Sequence, residues 1–145
     1  MQKPNSVRAA LTAAAPVLVT DPDKLLVFAD AGTIEAIPGT GLSFLYRYTL
    51  HAILTDFAGD PNLIFAALVE WVKVNQNDLI ESRTLHKDGL SFEVDLLNHT
   101  TCDLSIKLKL TETVVASRDQ DGQLVAAAKP EPKAEWEYSS LFAGE

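Results

Sequence analysis

The sequence predicts an α+β domain: a mainly antiparallel, twisted sheet of about five strands with two principal helices packed on one face. Three alternating segments carry that prediction. In residues 42–55 (LSFLYRYTLHAILT) every even position is apolar, from Leu42 and Phe44 through Tyr46, Tyr48, Leu50 and Ala52 to Leu54. Ser43, Arg47, Thr49, His51 and Thr55 fall between them. Residues 90–97 (LSFEVDLL) alternate Leu90, Phe92, Val94 and Leu96 with Ser91, Glu93 and Asp95. Residues 103–115 (DLSIKLKLTETVV) alternate Leu104, Ile106, Leu108 and Leu110 with Asp103, Ser105, Lys107, Lys109 and Thr111. A period of two over such lengths means strands with one buried and one wet face, most naturally antiparallel.

The remaining elements follow from local signals. Ser6 is a suitable N-cap for a short helix from Val7 to about Ala15 that presents Val7, Ala10, Leu11 and Ala14 on one side. Pro16 opposes its continuation. After the turn Asp21-Pro22-Asp23, residues 25–31 (LLVFADA) read as a strand, and residues 33–37 as a second one joined through Gly32. Pro38-Gly39-Thr40-Gly41 forms the loop into the long alternating strand. Asp60-Pro61 then opens a helix, as N-cap and first helical residue. Its polar strip is narrow (Asn62, Ala66, Glu70, Lys73), against apolar Leu63, Ile64, Phe65, Ala67, Leu68, Val69, Trp71 and Val72. Packing on a sheet needs a stripe only somewhat over ~100° wide, so the second apolar side must meet another element or another subunit. Residues 75–78 (NQND) stop this helix, residues 97–100 (LNHT) form a hairpin loop, and residues 119–122 (DQDG) make a tight turn before a last strand at 123–128.

Length and composition set the limits. A chain of 145 residues makes one domain able to bury roughly two-thirds of its unfolded surface. Residues 1–128 are expected to form that single assembly domain, followed by a Pro-rich, charged tail at 129–145. A net charge of −8 opposes binding to nucleic-acid phosphates and to anionic membranes. The lone Cys102 rules out an internal disulfide and suits a reducing compartment. Residues 9–19 (AALTAAAPVLV) imitate a signal peptide weakly, but their alanine content and Pro16 favour a first helix and a cytoplasmic chain.

No assembled chemistry emerges. Cys102 and His99 suggest a thiol and its base, yet Cys102 shares the parity of Leu104 and Ile106, which sends it into the core. His51, His86 and His99 lack zinc-site spacing. Glu93 and Asp95 fit an ordinary wet strand face better than an acid–base pair. Asp119 and Asp121-Gly122 lack the other ligands of a calcium loop, and Gly39-Thr40-Gly41 lacks the lysine of a phosphate loop. The chain is read as a non-enzyme with no cofactor and no metal.

The tail (KPEPKAEWEYSSLFAGE) places Trp136, Tyr138, Leu141 and Phe142 among charges and two prolines. Either it folds onto its own domain as a last strand, or it docks on a neighbour, adding a strand to a sheet edge. With Phe65, Val69 and Trp71 of the second helix, these aromatic and aliphatic residues are the candidate partner-interface positions.

In order along the chain, KPNSVRAALT (3–12), DPDKLLVF (21–28), LSFLYRYTL (42–50), TDFAGD (55–60), WVKVNQNDL (71–79), FEVDLLN (92–98) and DLSIKLKLTE (103–112) resemble the tail completion protein R (GpR) family of temperate contractile-tailed phages. The likeness spans residues 3–115 and carries no catalytic or cofactor-binding positions. It implies a structural virion protein, phage or prophage-encoded, that finishes the head-proximal end of the tail for joining to the head. Its implied partners are other tail and head–tail connector proteins. By looser analogy with the ring-forming tail terminators of long-tailed phages, the implied fold is tail-terminator-like and the implied working form is a homo-oligomer, a hexameric ring. Its implied location is the virion tail, reached from the host cytoplasm. Two other readings compete: a small cytoplasmic ligand-binding module, or an enzyme assembled at a subunit interface from His51, Arg47 or Glu93.

Overall fold

The computed structural model describes residues 1–39, 41–81 and 88–129. The chain opens with α1 (Lys3–Ala14) and the short α2 (Val17–Thr20), and a 3-10 turn at Pro22–Lys24 leads into β1 (Leu25–Ala36). There follow β2 (Phe44–Phe57), α3 (Pro61–Asn75), the single turn α4 (Asp78–Glu81), β3 (Leu90–Leu96), β4 (Cys102–Arg118) and β5 (Leu124–Lys129). The five strands make one sheet in the order β1-β2-β4-β3, with β5 also paired to β4 and every pairing antiparallel. This is the expected α+β architecture.

The alternation of the two long strands becomes the core. Leu50, Ala52, Leu54, Leu104, Ile106, Leu108 and Leu110 are buried on one sheet face, under Val7 and Leu11 of α1 and Ile64, Leu68 and Val72 of α3. Cutting any one of these leucines to alanine removes about 2–5 kcal/mol.

Several boundaries depart from expectation, each for a local reason. Helix α1 begins at Lys3, ahead of the expected cap at Ser6, with Pro4 in its first turn, where a fixed φ is already helical and the missing N–H costs nothing. Ser6 therefore lies inside the helix, and its Oγ accepts a 2.8 Å hydrogen bond from Trp71 Nε1. The two strands expected at 25–31 and 33–37 are one strand, β1, with a bulge between Asp30 and Thr33. Ala31 takes the left-handed conformation there (φ 52°), and the extra residue swaps the faces on which later side chains fall. A second bulge, with Asp56 at φ 51°, turns Phe57 into the core although it is an odd position. Asp60 caps α3 as expected, its Oδ1 accepting the Asn62 N–H at 2.9 Å.

The largest departure concerns β3. Its Leu90, Phe92, Val94 and Leu96 lie opposite Leu108, Ile106, Leu104 and Cys102 and so share the core face. Past Leu90, however, they are not buried: Phe92 is 53%, Val94 45% and Leu96 76% exposed. Alternation identifies the face of a strand but not whether a helix reaches far enough to cover it.

A polar stitch completes the sheet where the hydrogen-bond ladder is interrupted. Both β3 and β5 lie on the same edge of β4, against residues 102–108 and 113–118. Gly89 O accepts the Lys109 N–H at 2.8 Å, and Thr113 pairs with Lys129. Among the described residues, Thr111, between them, has no strand beside it on that edge. Its N–H donates instead to Gln76 Oε1 (3.0 Å), its carbonyl accepts from Lys3 Nζ (2.6 Å), and its Oγ1 accepts from Gln76 Nε2 (3.0 Å). Gln76 Oε1 also accepts from Lys3 Nζ at 2.6 Å, and both side chains are buried. Buried backbone groups must find a partner, and here two helix-end side chains replace a strand.

Candidate assembly surfaces

The sheet face away from the helices carries no covering element among the described residues. Across it, Phe28, His51, Lys107 and Ser91 form one row, and Leu26, Ile53, Ser105 and Glu93 the next. Phe28 stacks on the His51 ring (4.5 Å between centroids, 4° between planes), and His51 Nε2 meets Asp30 Oδ1 at 2.8 Å. Arg47 Nε donates to Glu35 Oε1 at 3.3 Å in an exposed pair worth about 0–1 kcal/mol. Asp95 lies directly opposite Asp103, whose Oδ1 accepts the Asp56 N–H at 2.8 Å. The surface thus mixes isolated apolar groups with both signs of charge.

The residues considered for chemistry are dispersed. Cys102 is buried in the core, as its parity requires, whereas His99 is exposed in the loop that follows β3. That loop is organised by Asn98, whose Oδ1 accepts the Thr100 and Thr101 N–H groups at 2.8 Å each. His86 lies outside the described residues. His51 is engaged by Asp30 and Arg47 by Glu35, both from β1, while Glu93 is on β3, beyond β4. Asp119 is used within its turn, its Oδ1 accepting both the Asp121 and Gln123 N–H groups at 2.9 Å. Among the described residues, no three His, Cys, Asp or Glu side chains cluster as metal ligands would, and no helix is long and apolar enough to cross a membrane.

The interface candidates separate into three groups. Trp71 is buried within the subunit, where its indole N–H ties α3 to α1. Phe65 is half-buried against Phe92 (ring centroids 4.7 Å apart), and Val69 is exposed beside it. Together with Leu68, Leu90 and Ile106 they line an open groove of about 170 Å³ between α3 and β3. Trp136, Tyr138, Leu141 and Phe142 lie outside the described residues. A second open apolar groove, about 360 Å³, runs between α2 and the loop from β2 to α3, bordered by Val17, Phe57 and Leu63.

A buried polar cluster was absent from the sequence expectations. Glu112 Oε2 accepts from the Tyr48 hydroxyl at 2.6 Å and Oε1 from the Gln2 N–H at 2.8 Å. Burial, reinforced by the charge of Glu112, pushes the Tyr46 phenol up to about 12, and burial with the Glu112 hydrogen bond pushes Tyr48 higher still. One signal existed: Glu112 continues the even parity of Leu108 and Leu110, so a carboxylate at a core position could have been noticed.

Comparison with known proteins supplies the context for this open-faced sheet. The family model described as P2 phage tail completion protein R (GpR) matches residues 1–132. Tail completion protein R of Escherichia phage P2 is 42% identical over 132 residues, covering 91% of this chain and 84% of that protein. No solved structure matches. A family model and a relative that agree over nine-tenths of the chain leave one conclusion: the chain belongs to the P2 phage tail completion protein R (GpR) family.

Proposed function

We propose that this chain finishes the head-proximal end of a contractile phage tail, readying it for the head, and does so purely by protein–protein assembly without catalysing a reaction. The observation that carries this reading is the 42% identity to the tail completion protein of phage P2 across nearly the whole chain. The geometry supports it. A ring requires one patch of a subunit to meet a different patch of its neighbour. Among the described residues, the uncovered sheet face, the unpaired outer edge of β1 and the exposed side of α3 with Leu63 and Val69 are three dissimilar patches available for such contacts. We infer a homo-oligomeric ring, hexameric by analogy with tail terminators, that meets tail-tube and connector proteins. The net charge of −8 suits a lumen that DNA traverses without adhering.

The test is genetic and visual. A phage or prophage lacking this gene is expected to yield filled heads and separate tails by negative-stain microscopy, with joining restored by the purified chain. Normal joining in its absence overturns the reading. Native mass spectrometry on tails completed with the protein reports subunit number, and a single copy per tail overturns the ring.

A further inference from the structure

Strand β3 combines three features that a single kind of occupant satisfies. The first is its backbone. The Lys109 N–H donates to Gly89 O at 2.8 Å, so in this antiparallel ladder Ser91, Glu93 and Asp95 turn their N–H and C=O groups to β4. Those of Leu90, Phe92, Val94 and Leu96 point to the outer edge, where no strand pairs with them among the described residues. The second is the apolar strip of Phe92, Val94 and Leu96, exposed on the helix side. At its Leu90 end, the groove of about 170 Å³ bordered by Phe65 and Val69 has room for a bulky side chain. The third is charge. Glu93 and Asp95 stand on the opposite face with Asp103 across from Asp95, and none of these carboxylates has an ion pair among the described residues.

A strand added to this edge completes the ladder. Every second side chain of it covers the apolar strip, and the others come beside the carboxylates. Charge then selects its sequence: apolar residues alternating with lysine or arginine, because opposite charges on neighbouring strands attract and like charges repel. A second copy of this chain does not offer such a strand. Neither β1 (LLVFADAGTIEA) nor β3 (LSFEVDL) holds a lysine or arginine, so each would bring further carboxylates to the same face. Strand β1 is also blunted by its bulge between Asp30 and Thr33, and Arg8 Nη2 already donates to Leu25 O at 2.9 Å. Strand β5 carries one cation, Lys129, at its last residue.

We propose that β3 is a docking edge that takes, as an added strand, an extended segment of another tail or connector protein in which apolar residues alternate with lysine or arginine. This names a partner for the assembly role proposed above and rests on that role.

Two variants test the edge, each added as purified protein to separate heads and tails from phage lacking the gene. Val94→Pro removes an outward N–H that the incoming strand needs and leaves the β3–β4 ladder intact. The Glu93→Lys, Asp95→Lys pair reverses the charge without touching the backbone. Both are expected to keep the far-UV circular dichroism of the parent chain and to lower head–tail joining at least tenfold. Normal joining by the folded charge variant overturns the proposal, and that variant decides alone if Val94→Pro does not fold. A photoreactive benzoylphenylalanine in place of Leu96 gives an independent reading in joined particles. The cross-linked peptide, sequenced by mass spectrometry, is expected to come from a different tail or connector protein and to alternate apolar with basic residues. A peptide of this chain, from the same copy or another, or a segment without cations overturns the proposal. If joining requires the gene yet both variants join normally, this edge is refuted and the assembly role stands; if joining proceeds without the gene, the assembly role falls and this inference with it.

Discussion

Replacing Gln76 by alanine removes the side chain that substitutes for a missing strand. Its amide makes four hydrogen bonds: it accepts from Lys3 Nζ and the Thr111 N–H, and donates to Thr111 Oγ1 and Asp78 Oδ1. An unsatisfied buried N–H at Thr111 costs about 1–3 kcal/mol, and each other bond contributes about 0.5–1.5 kcal/mol net. Part of the loss is recovered by water entering the vacated space, so a destabilisation of about 2–4 kcal/mol is expected. That is a large share of the ~5–15 kcal/mol typical of a domain. Urea unfolding followed by far-UV circular dichroism measures it, with a lowered midpoint and an unchanged slope. Gln76→Glu keeps the acceptor for Lys3 and Thr111 but sets a carboxylate 2.6 Å from Asp78 Oδ1, so its loss should shrink at acid pH as one carboxyl takes up a proton. A Gln76→Ala loss under about 0.5 kcal/mol, the range of an ordinary surface change, refutes the stitch as a stabilising device.

Three further expectations come from the same framework. The phenol of Tyr46 ionises near 12 in the fold against 10.0 when free, so its contribution is intact below pH 10.0 and is lost as pH rises toward about 12. Tyr48 follows in the same direction, and denaturation at stepped alkaline pH should show the decline, which Tyr48→Phe lessens; a flat profile contradicts the burial of these rings. Asp95→Thr removes a like-charge pair with Asp103 and should raise stability by about 0.2–1 kcal/mol, and a lower thermal midpoint contradicts the register of β3 against β4. Ser6→Ala strips the acceptor from the Trp71 indole and should cost about 1 kcal/mol, whereas the same change in a Trp71→Phe background should cost markedly less; equal costs deny the coupling.

Much of this architecture was legible from periodicity. The even positions from Tyr48 to Leu54 and from Leu104 to Leu110 are core because sheet geometry decides their side, whereas Leu42, ahead of β2, is exposed. Asp60-Pro61 announced α3 because capping chemistry is local. What failed to show were effects that depend on distant chain. Residues 90–97 carry the same alternation as the core strands, yet Phe92, Val94 and Leu96 are exposed, because burial also needs a covering element, which no local pattern encodes. Lys3 and Gln76 look like surface residues, and only the gap between β3 and β5 makes them interior ones. Trp71 reads as an anchor for a partner, but the indole finds its acceptor on α1. The bulge at Ala31 was half visible: two strand segments were recognised on either side, and their union required the pairing with β2. Among the interface candidates, the sequence could name adhesive residue types but not who meets them.

The stitch at Thr111 has a consequence for synthesis on the ribosome. Lys3 and Thr111 are 108 positions apart, and Gln76 and Thr111 are 35 apart. The opening helix is therefore made long before the carbonyl that its lysine will hold, and it waits while nearly the whole polypeptide emerges. Closing so long a loop is entropically costly, which puts this joint among the late events of maturation. A nascent chain stalled before Thr111 would present an unfinished edge to chaperones, and release of the last two strands would be the moment at which the beginning of the chain is finally fastened down.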